Sequence, residues 1–254
     1  MPEQTLQGKV AIVTGSSRGI GAAIGKELSA RGANVVLNYP TPAEKGEVDV
    51  ALAALTSDSI AVEADMSQIS SPQKLIDAAL AKWNRIDILV NSVGLGEMGP
   101  LEALTLENWD RMVNLNGRGT FLMTQKVLPH LTKGSGRIVN ITSICGRGAG
   151  PAQTIYAGTK GMIDSFTKCW AKELPPKYGC TVNAVSPGAT DTRQLTDALK
   201  STPEVIDMMK ALTPVEGRLG QPDEVAYAVG FLCEERARFV NGEHMFVSGG
   251  LFID

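Results

Sequence analysis

The side chains best placed for chemistry are a tyrosine and a lysine four positions apart, in Tyr156-Ala157-Gly158-Thr159-Lys160 at the head of an apolar stretch. In a helix that spacing stacks both on one face. A tyrosine hydroxyl titrates near 10, too high for a proton carrier at neutral pH. A fixed ammonium within a few ångströms favours the phenolate and lowers that value by about one to three units, which makes the phenol a usable acid or base. Chance supplies about 0.2 such pairs in a chain of this composition, and Tyr39, Tyr178 and Tyr227 lack the partner. Ser143 stands 13 residues before Tyr156, just after the run Gly136–Ile141. Two hydroxyls converging on one oxygen would stabilise negative charge developing there. Thr142 is the rival hydroxyl.

A second motif is Thr14-Gly15-Ser16-Ser17-Arg18-Gly19-Ile20-Gly21, between an apolar run and a helical pattern. A strand turning into a helix N-terminus leaves backbone N–H groups and the positive dipole end free for a pyrophosphate. Gly15 permits the tight turn, Gly19 removes the Cβ that would block the phosphates, and Gly21 allows close helix–strand packing. Such a turn binds dinucleotides, and charge at the end of the second strand selects which one. A carboxylate there would grip a ribose 2′-OH and repel a 2′-phosphate. The stretch Val36-Leu37-Asn38-Tyr39-Pro40-Thr41 has no acid. Arg18 can instead face the phosphate, with Asn38, Tyr39 and Thr41 offering hydrogen bonds, although Arg18 can equally sit solvated on a loop. The expected cofactor is NADP(H).

These groups must be positioned by the rest of the chain, which alternates short β-branched runs with longer amphipathic stretches. Strands are predicted at Lys9–Thr14, Asn34–Asn38, Ile60–Glu63, Ile86–Asn91, Gly136–Ile141, Cys180–Ser186 and Glu243–Val247. Most are continuous apolar runs, as expected of parallel strands buried on both faces. Helices are predicted near Gly19–Arg31, Ala43–Leu55, Pro72–Trp83, Leu106–Leu131, Ile155–Leu174 and Pro222–Cys233. The pattern implies an α/β fold: a doubly wound, Rossmann-type, seven-stranded parallel sheet flanked by helices, with residues 1–254 one domain. Residues 189–217 interrupt it as a polar, helical insertion, either a surface excursion or a cover over the site.

The chain has 254 residues, 43% hydrophobic and 20% charged, with a formal net charge of -3. That balance speaks against a nucleic-acid partner, which needs a basic face. No run of 18 apolar residues is present, so no membrane span is expected. The N-terminal residues do not read as a secretory signal, nor the last residues as a prenylation or peroxisomal motif. Four cysteines without a CxxC pair suggest neither a metal site nor a disulfide framework. The expectation is a soluble, cytoplasmic protein.

Taken together, TGSSRGIG, Ser143 and the Y-x-x-x-K of Tyr156 and Lys160 resemble the short-chain dehydrogenase/reductase family, and the resemblance runs from Gly8-Lys9 to Gly250. It implies that Ser143 binds a substrate carbonyl oxygen, that Tyr156 passes the proton, and that Lys160 lowers the tyrosine pKa and holds the nicotinamide ribose. It implies that Asn114 anchors a water in the proton relay, with Asn116 a nearby competitor. Along the cofactor path it implies Gly15, Ser17, Arg18, Gly19, Ile20, Gly21, Asn38 and Tyr39. Asp65 would accept from the adenine amino group beside Met66. Asn91 and Gly94 fall where the family usually reads N-N-A-G, so Ser92 and Val93 are departures. Pro187, Gly188, Thr190 and Thr192 match a segment over the nicotinamide, and Gly249-Gly250 match a late glycine pair. The implied activity is reversible hydride transfer between NADP(H) and a ketone/secondary alcohol pair. The alternatives are an isomerase, dehydratase or cyclase with NADP merely bound, or a non-enzymatic NADP-binding regulator. A homo-oligomer, dimer or tetramer, is implied through the helices carrying Asn114 and Tyr156. Leu95, Met98, Cys145, Ala149, Met208 and Met209 are expected to edge a pocket for a small, largely apolar carbonyl compound. Arg118, Arg147 and Arg193 are the candidates for a basic rim.

Overall fold

The structure, a computed structural model, describes residues 4–200 and 202–254. Apolar runs with no polar face become seven parallel strands: β1 (Val10–Val13), β2 (Asn34–Tyr39), β3 (Ile60–Glu63), β4 (Ile88–Asn91), β5 (Gly136–Ile141), β6 (Cys180–Pro187) and β7 (His244–Val247). Their order is β3-β2-β1-β4-β5-β6-β7, so the winding reverses between β1 and β4. At such a reversal the loops leaving the two central strands part, and a crevice opens at the carboxyl edge. Residues in β1, β5 and β6 are buried along their whole length because helices cover both faces.

Helices α1 (Gly19–Ala30), α2 (Lys45–Ala53), α3 (Ser71–Trp83), α4 (Leu106–Met112), α5 (Thr120–Val127), α6 (Thr154–Glu173), α7 (Pro175–Tyr178), α8 (Arg193–Ala198), α9 (Glu204–Leu212) and α10 (Pro222–Cys233) fill the connections. Ile24 and Leu28 of α1, Val48 of α2 and Val225, Val229 and Leu232 of α10 close one apolar layer on the sheet. Leu75 and Ile76 of α3, Met123 and Val127 of α5 and Ala171 of α6 close the other. No helix among the described residues is long and apolar enough to cross a membrane.

Two features depart from a plain reading of the pattern. The single helix expected over Leu106–Leu131 is α4 and α5 joined by a π-helical segment, Val113–Gly119, followed by a 3-10 turn at Leu128–His130. Wider turns of this kind sit most often at functional sites. Its glycines admit close neighbours: a Cβ on Gly119 would stand 2.7 Å from the Met66 carbonyl oxygen, and one on Gly117 2.8 Å from the Met162 sulfur. The insertion at 189–217 holds α8 and α9, neither with a fully buried residue. Its ends meet in a parallel bridge between Thr190 and Gly220, where Asp191 N–H donates to the Gly220 carbonyl at 2.8 Å and Gly220 N–H to the Ala189 carbonyl at 2.9 Å. The late glycines hold its exit. Gly249 and Gly250 both have positive φ, and side chains there would collide with Thr213 and Pro214.

Candidate active site

A cavity of about 440 Å³ lies at the carboxyl edge where the winding reverses, running from the glycine turn to Tyr156. At one end the turn is built by a reciprocal clamp. Gly15 N–H donates to Asn38 Oδ1 at 3.0 Å, Asn38 N–H donates to Ser16 Oγ at 2.8 Å, and Asn38 Nδ2 donates to the Ala64 carbonyl at 2.8 Å. Asn38 lines the cavity, but both ends of its amide are committed to backbone groups. Gly21 could be nothing else, since a Cβ would stand 2.1 Å from the Gly15 carbonyl oxygen. The glycine turn is also tied to the β4 exit, where Thr14 Oγ1 accepts from Ser92 and Val93 N–H at 3.0 and 3.1 Å. The hydroxyl of the residue after β1 thus closes the turn that the departures at Ser92 and Val93 put in question.

At the other end, Tyr156 lies in the first turn of α6 and Lys160 one turn on, its ammonium donating to the Ile141 carbonyl at 2.9 Å. Ser143 follows β5, caps a 3-10 turn by accepting from Cys145 N–H at 3.2 Å, and sets its hydroxyl close enough to the Tyr156 side chain to influence its ionisation. Thr142 spends its hydroxyl on the Val185 carbonyl and Ser186 inside the sheet, which leaves Ser143 as the partner of Tyr156. Burial is the largest influence on both ionisable groups. It pushes the Tyr156 hydroxyl up to about 12, against the neighbouring Ser143 hydroxyl, which pulls it down. It pushes the Lys160 ammonium down to about 8. Nζ of Lys160 is 5.8 Å from the Tyr156 ring centroid, and burial, not the ammonium, is the largest influence on the hydroxyl in this arrangement.

Asn116, not Asn114, reaches this cluster. Its Oδ1 accepts from Leu95 N–H at 2.8 Å, its Nδ2 donates to the Leu95 carbonyl at 2.8 Å and to Thr159 Oγ1 at 3.0 Å, and a Cβ on Gly94 would lie between it and the Lys160 ammonium. Asn114 is half-buried, does not line the cavity, and makes no side-chain hydrogen bond among the described residues. Two other expected positions also face elsewhere. Tyr39 is packed in the apolar layer with α1 and α2. Asn91 is buried between β4, β5 and α5, donating to Thr124 Oγ1 and Asn140 Oδ1 at 2.9 and 2.8 Å. Gly15, Ser17, Arg18, Gly19, Ile20, Gly21, Asp65, Met66, Gly94, Pro187, Gly188, Thr190 and Thr192 all line the cavity. Asp65 also caps its own turn, accepting from Ser67 N–H at 2.9 Å.

A family model described as enoyl-(acyl carrier protein) reductase matches residues 15–252. The short-chain dehydrogenase/reductase FrzI of Cladobotryum sp is 38% identical over 98% of this chain and 98% of its own. This chain belongs to the short-chain dehydrogenase/reductase family. Two solved structures are similar to it. One is a short chain dehydrogenase from Burkholderia cenocepacia in complex with NADP, with a TM-score of 0.88 and 34% identity over 97% of this chain and 99% of that one. The other is a 3-ketoacyl-(acyl-carrier-protein) reductase from Brucella melitensis complexed with NADH, with a TM-score of 0.88 and 35% identity over 98% and 100%.

In this short-chain dehydrogenase/reductase the space beyond Tyr156 is apolar. Leu95, Met98, Cys145 and Met209 line it as expected, joined by Ile144, Leu195, Ala198 and Leu251, with Gln153 among the few polar side chains. Ala149 is exposed and Met208 points to solvent. The basic rim is largely spent: Arg118 donates to the Ser67 carbonyl, and Arg147 pairs with Asp164 and Asp254. Glu44, just beyond residues 36–41, also lines the cavity. The chain folds back through a 3-10 turn at Pro42–Glu44, and Ser17 Oγ donates to Glu44 Oε2 at 2.6 Å on the cavity wall. A carboxylate therefore does reach this end of the site, from beyond the stretch that lacks one.

Proposed function

We propose that the protein reduces a small, uncharged, largely apolar ketone to a secondary alcohol with NADP(H), Tyr156 giving the proton. The observation that carries this reading is the Ser143–Tyr156 hydroxyl pair, backed by buried Lys160, at one end of a cavity whose other end is the glycine turn. A dinucleotide fits the residues present: the turn has no Cβ where phosphates approach, and Gly94 leaves space beside the lysine ammonium. Ser17, Arg18, Gly19 and Ile20 would hold its phosphates and Asp65 and Met66 its adenine end. Gly94, Lys160, Pro187, Gly188, Thr190 and Thr192 would hold its nicotinamide half. When bound, the reduced nicotinamide supplies the hydride.

The chain's own work is positioning and proton supply. Ser143 and Tyr156 bond the substrate oxygen and stabilise the charge that develops there. With its hydroxyl held near 12 by burial, Tyr156 stays protonated through the neutral range and serves as donor. Lys160 uses one of its three donors on Ile141 and keeps the others for ligand hydroxyls. Residues 189–217 cover the substrate end, with α8 and Met209 on its wall. Residues 1–254 act as one dinucleotide-binding and catalytic domain. An apolar wall with its arginines otherwise engaged favours a neutral substrate over an anionic carrier-linked one. A homo-oligomer is supported by the aromatic cluster of Phe121, Phe166 and Trp170 on α5 and α6, with Phe121 and Trp109 exposed.

Incubation with NADPH and a panel of neutral ketones, read by loss of reduced-nicotinamide absorbance, is expected to show turnover. Turnover of enoyl thioesters with none of any ketone would overturn the reading. Asn116 is assigned as a positioning residue, holding Leu95 and α6 in register beside Lys160. Asn116→Ala is expected to lower kcat by about ten- to a hundredfold, to shift its pH profile and, with three buried hydrogen bonds lost, to lower Tm, whereas Asn114→Ala leaves all three near wild type. Equal effects of the two substitutions would remove Asn116 from this role.

A further inference from the structure

We propose that Glu47 limits how strongly the site prefers the 2′-phosphorylated over the plain dinucleotide, by occupying both arginines available to a 2′-phosphate. The inference rests on the cofactor reading above and extends it to a residue outside the cavity wall.

Arg18, in the glycine turn, and Arg193, the first residue of α8, both line the cavity. Their guanidinium groups converge on one carboxylate of α2: Arg18 Nη1 is 2.8 Å from Glu47 Oε2 and Arg193 Nη1 is 2.8 Å from Glu47 Oε1. Two more acids surround the pair. Glu44 Oε2 is 3.5 Å from Arg18 Nη1, and Asp197 Oδ2 is 3.8 Å from Arg193 Nε. Three carboxylates thus face two guanidinium groups, so the cluster is net negative where a dianion would need cations. Hydrogen bonding to Arg18 keeps Glu47 below the ordinary carboxylate range, so it stays charged at neutral pH.

A phosphate is best held by arginine through paired, charge-assisted hydrogen bonds. To make them here it must take donors from Glu47 and approach three like charges. Adenosine without a 2′-phosphate makes no such demand and leaves both ion pairs in place. The pairs themselves are half exposed and contribute little to folding, so losing them should alter ligand choice and not stability. Because Arg193 belongs to the cover and Arg18 to the glycine turn, the same carboxylate also ties the cover to the cofactor end.

The test is calorimetric titration of the full-length protein with NADP⁺ and with NAD⁺, comparing wild type with Glu47→Gln. The amide keeps the shape and removes the charge. The expected result is NADP⁺ binding about three- to tenfold tighter in the variant with NAD⁺ within about twofold of wild type, the gain shrinking as salt is raised. A ratio of the two dissociation constants that stays put, or that moves toward NAD⁺, would overturn this inference alone. Failure of wild type to bind either dinucleotide would overturn the cofactor reading and this inference with it.

Discussion

Replacing Tyr156 by phenylalanine is expected to lower kcat for ketone reduction by about 10³-fold while dinucleotide affinity stays within about threefold. The substitution deletes one oxygen and keeps the ring that packs against Gly96, where a Cβ would stand 3.3 Å from Tyr156 Cδ2. Loss of a positioned proton donor typically removes about 10² to 10⁴ in rate, and Ser143 remains to bond the carbonyl oxygen, which sets the residual activity. Direction matters here. A hydroxyl near 12 is a donor already loaded at about pH 6 to 9, so reduction by the wild type should be nearly flat within that range until Lys160 sheds its proton near 8, and should fall above it. Alcohol oxidation needs the phenolate and should climb with pH throughout it. Steady-state kinetics in both directions checks the pair. A kcat reduced by less than about tenfold in the phenylalanine variant would remove Tyr156 from the proton step.

Replacing Lys160 by methionine is expected to lower kcat/KM by about 10²-fold or more and, unusually for a core change, to raise the melting temperature near pH 7 by a few degrees. Burial holds the folded-state pKa of Lys160 near 8 against an ordinary value of 10.5. Its charge is therefore costly in the native state by about 3 kcal/mol. Methionine fills similar volume without that cost, but it leaves the Ile141 carbonyl without its donor, at about 1 to 2 kcal/mol. The net gain is about 1 to 2 kcal/mol, and sites that trade stability for activity behave this way. The sign follows from linkage. Below about pH 8 the lysine is charged in both folded and unfolded chains, and the methionine variant keeps its full advantage. Between about 8 and 10.5 the folded wild type sheds its proton first, becomes relatively more stable, and the advantage fades. Tyr156 titrates in both proteins and cancels in the difference. Thermal unfolding of both across that range checks it; a variant less stable at pH 7 by an amount independent of pH would contradict the burial argument.

What was legible in the sequence was whatever local geometry dictates. The glycine turn needs its spacing within eight residues, and the Tyr156–Lys160 pair needs one helical turn, so both were readable before any fold was known. The position of Tyr39 was readable too, through strand alternation: Asn38 faces the turn, so its neighbour must face the opposite layer. Asn116 carried a similar signal. Met112, Asn116, Thr120 and Thr124 recur every fourth position and all are buried, with Asn114 off that stripe. The π-helical turn that shapes this stretch had no such local signature. Glu44 and Glu47 were hidden for another reason, because they reach Ser17 and Arg18 only after the chain reverses beyond β2. The directions in which burial moves Lys160 and Tyr156 have no local signature, because depth of burial is a property of the whole packed sheet.

The bridge between Thr190 and Gly220 has an evolutionary consequence. A stretch whose two ends are fastened at one point behaves as a closed loop, and lengthening such a loop costs only about 0.6 kcal/mol per doubling. Since α8 and α9 surrender no fully buried residue to the rest of the molecule, mutations there can accumulate or be exchanged wholesale without re-registering β6 or α10. New substrate preferences can thereby be acquired on a scaffold that need not be relearned.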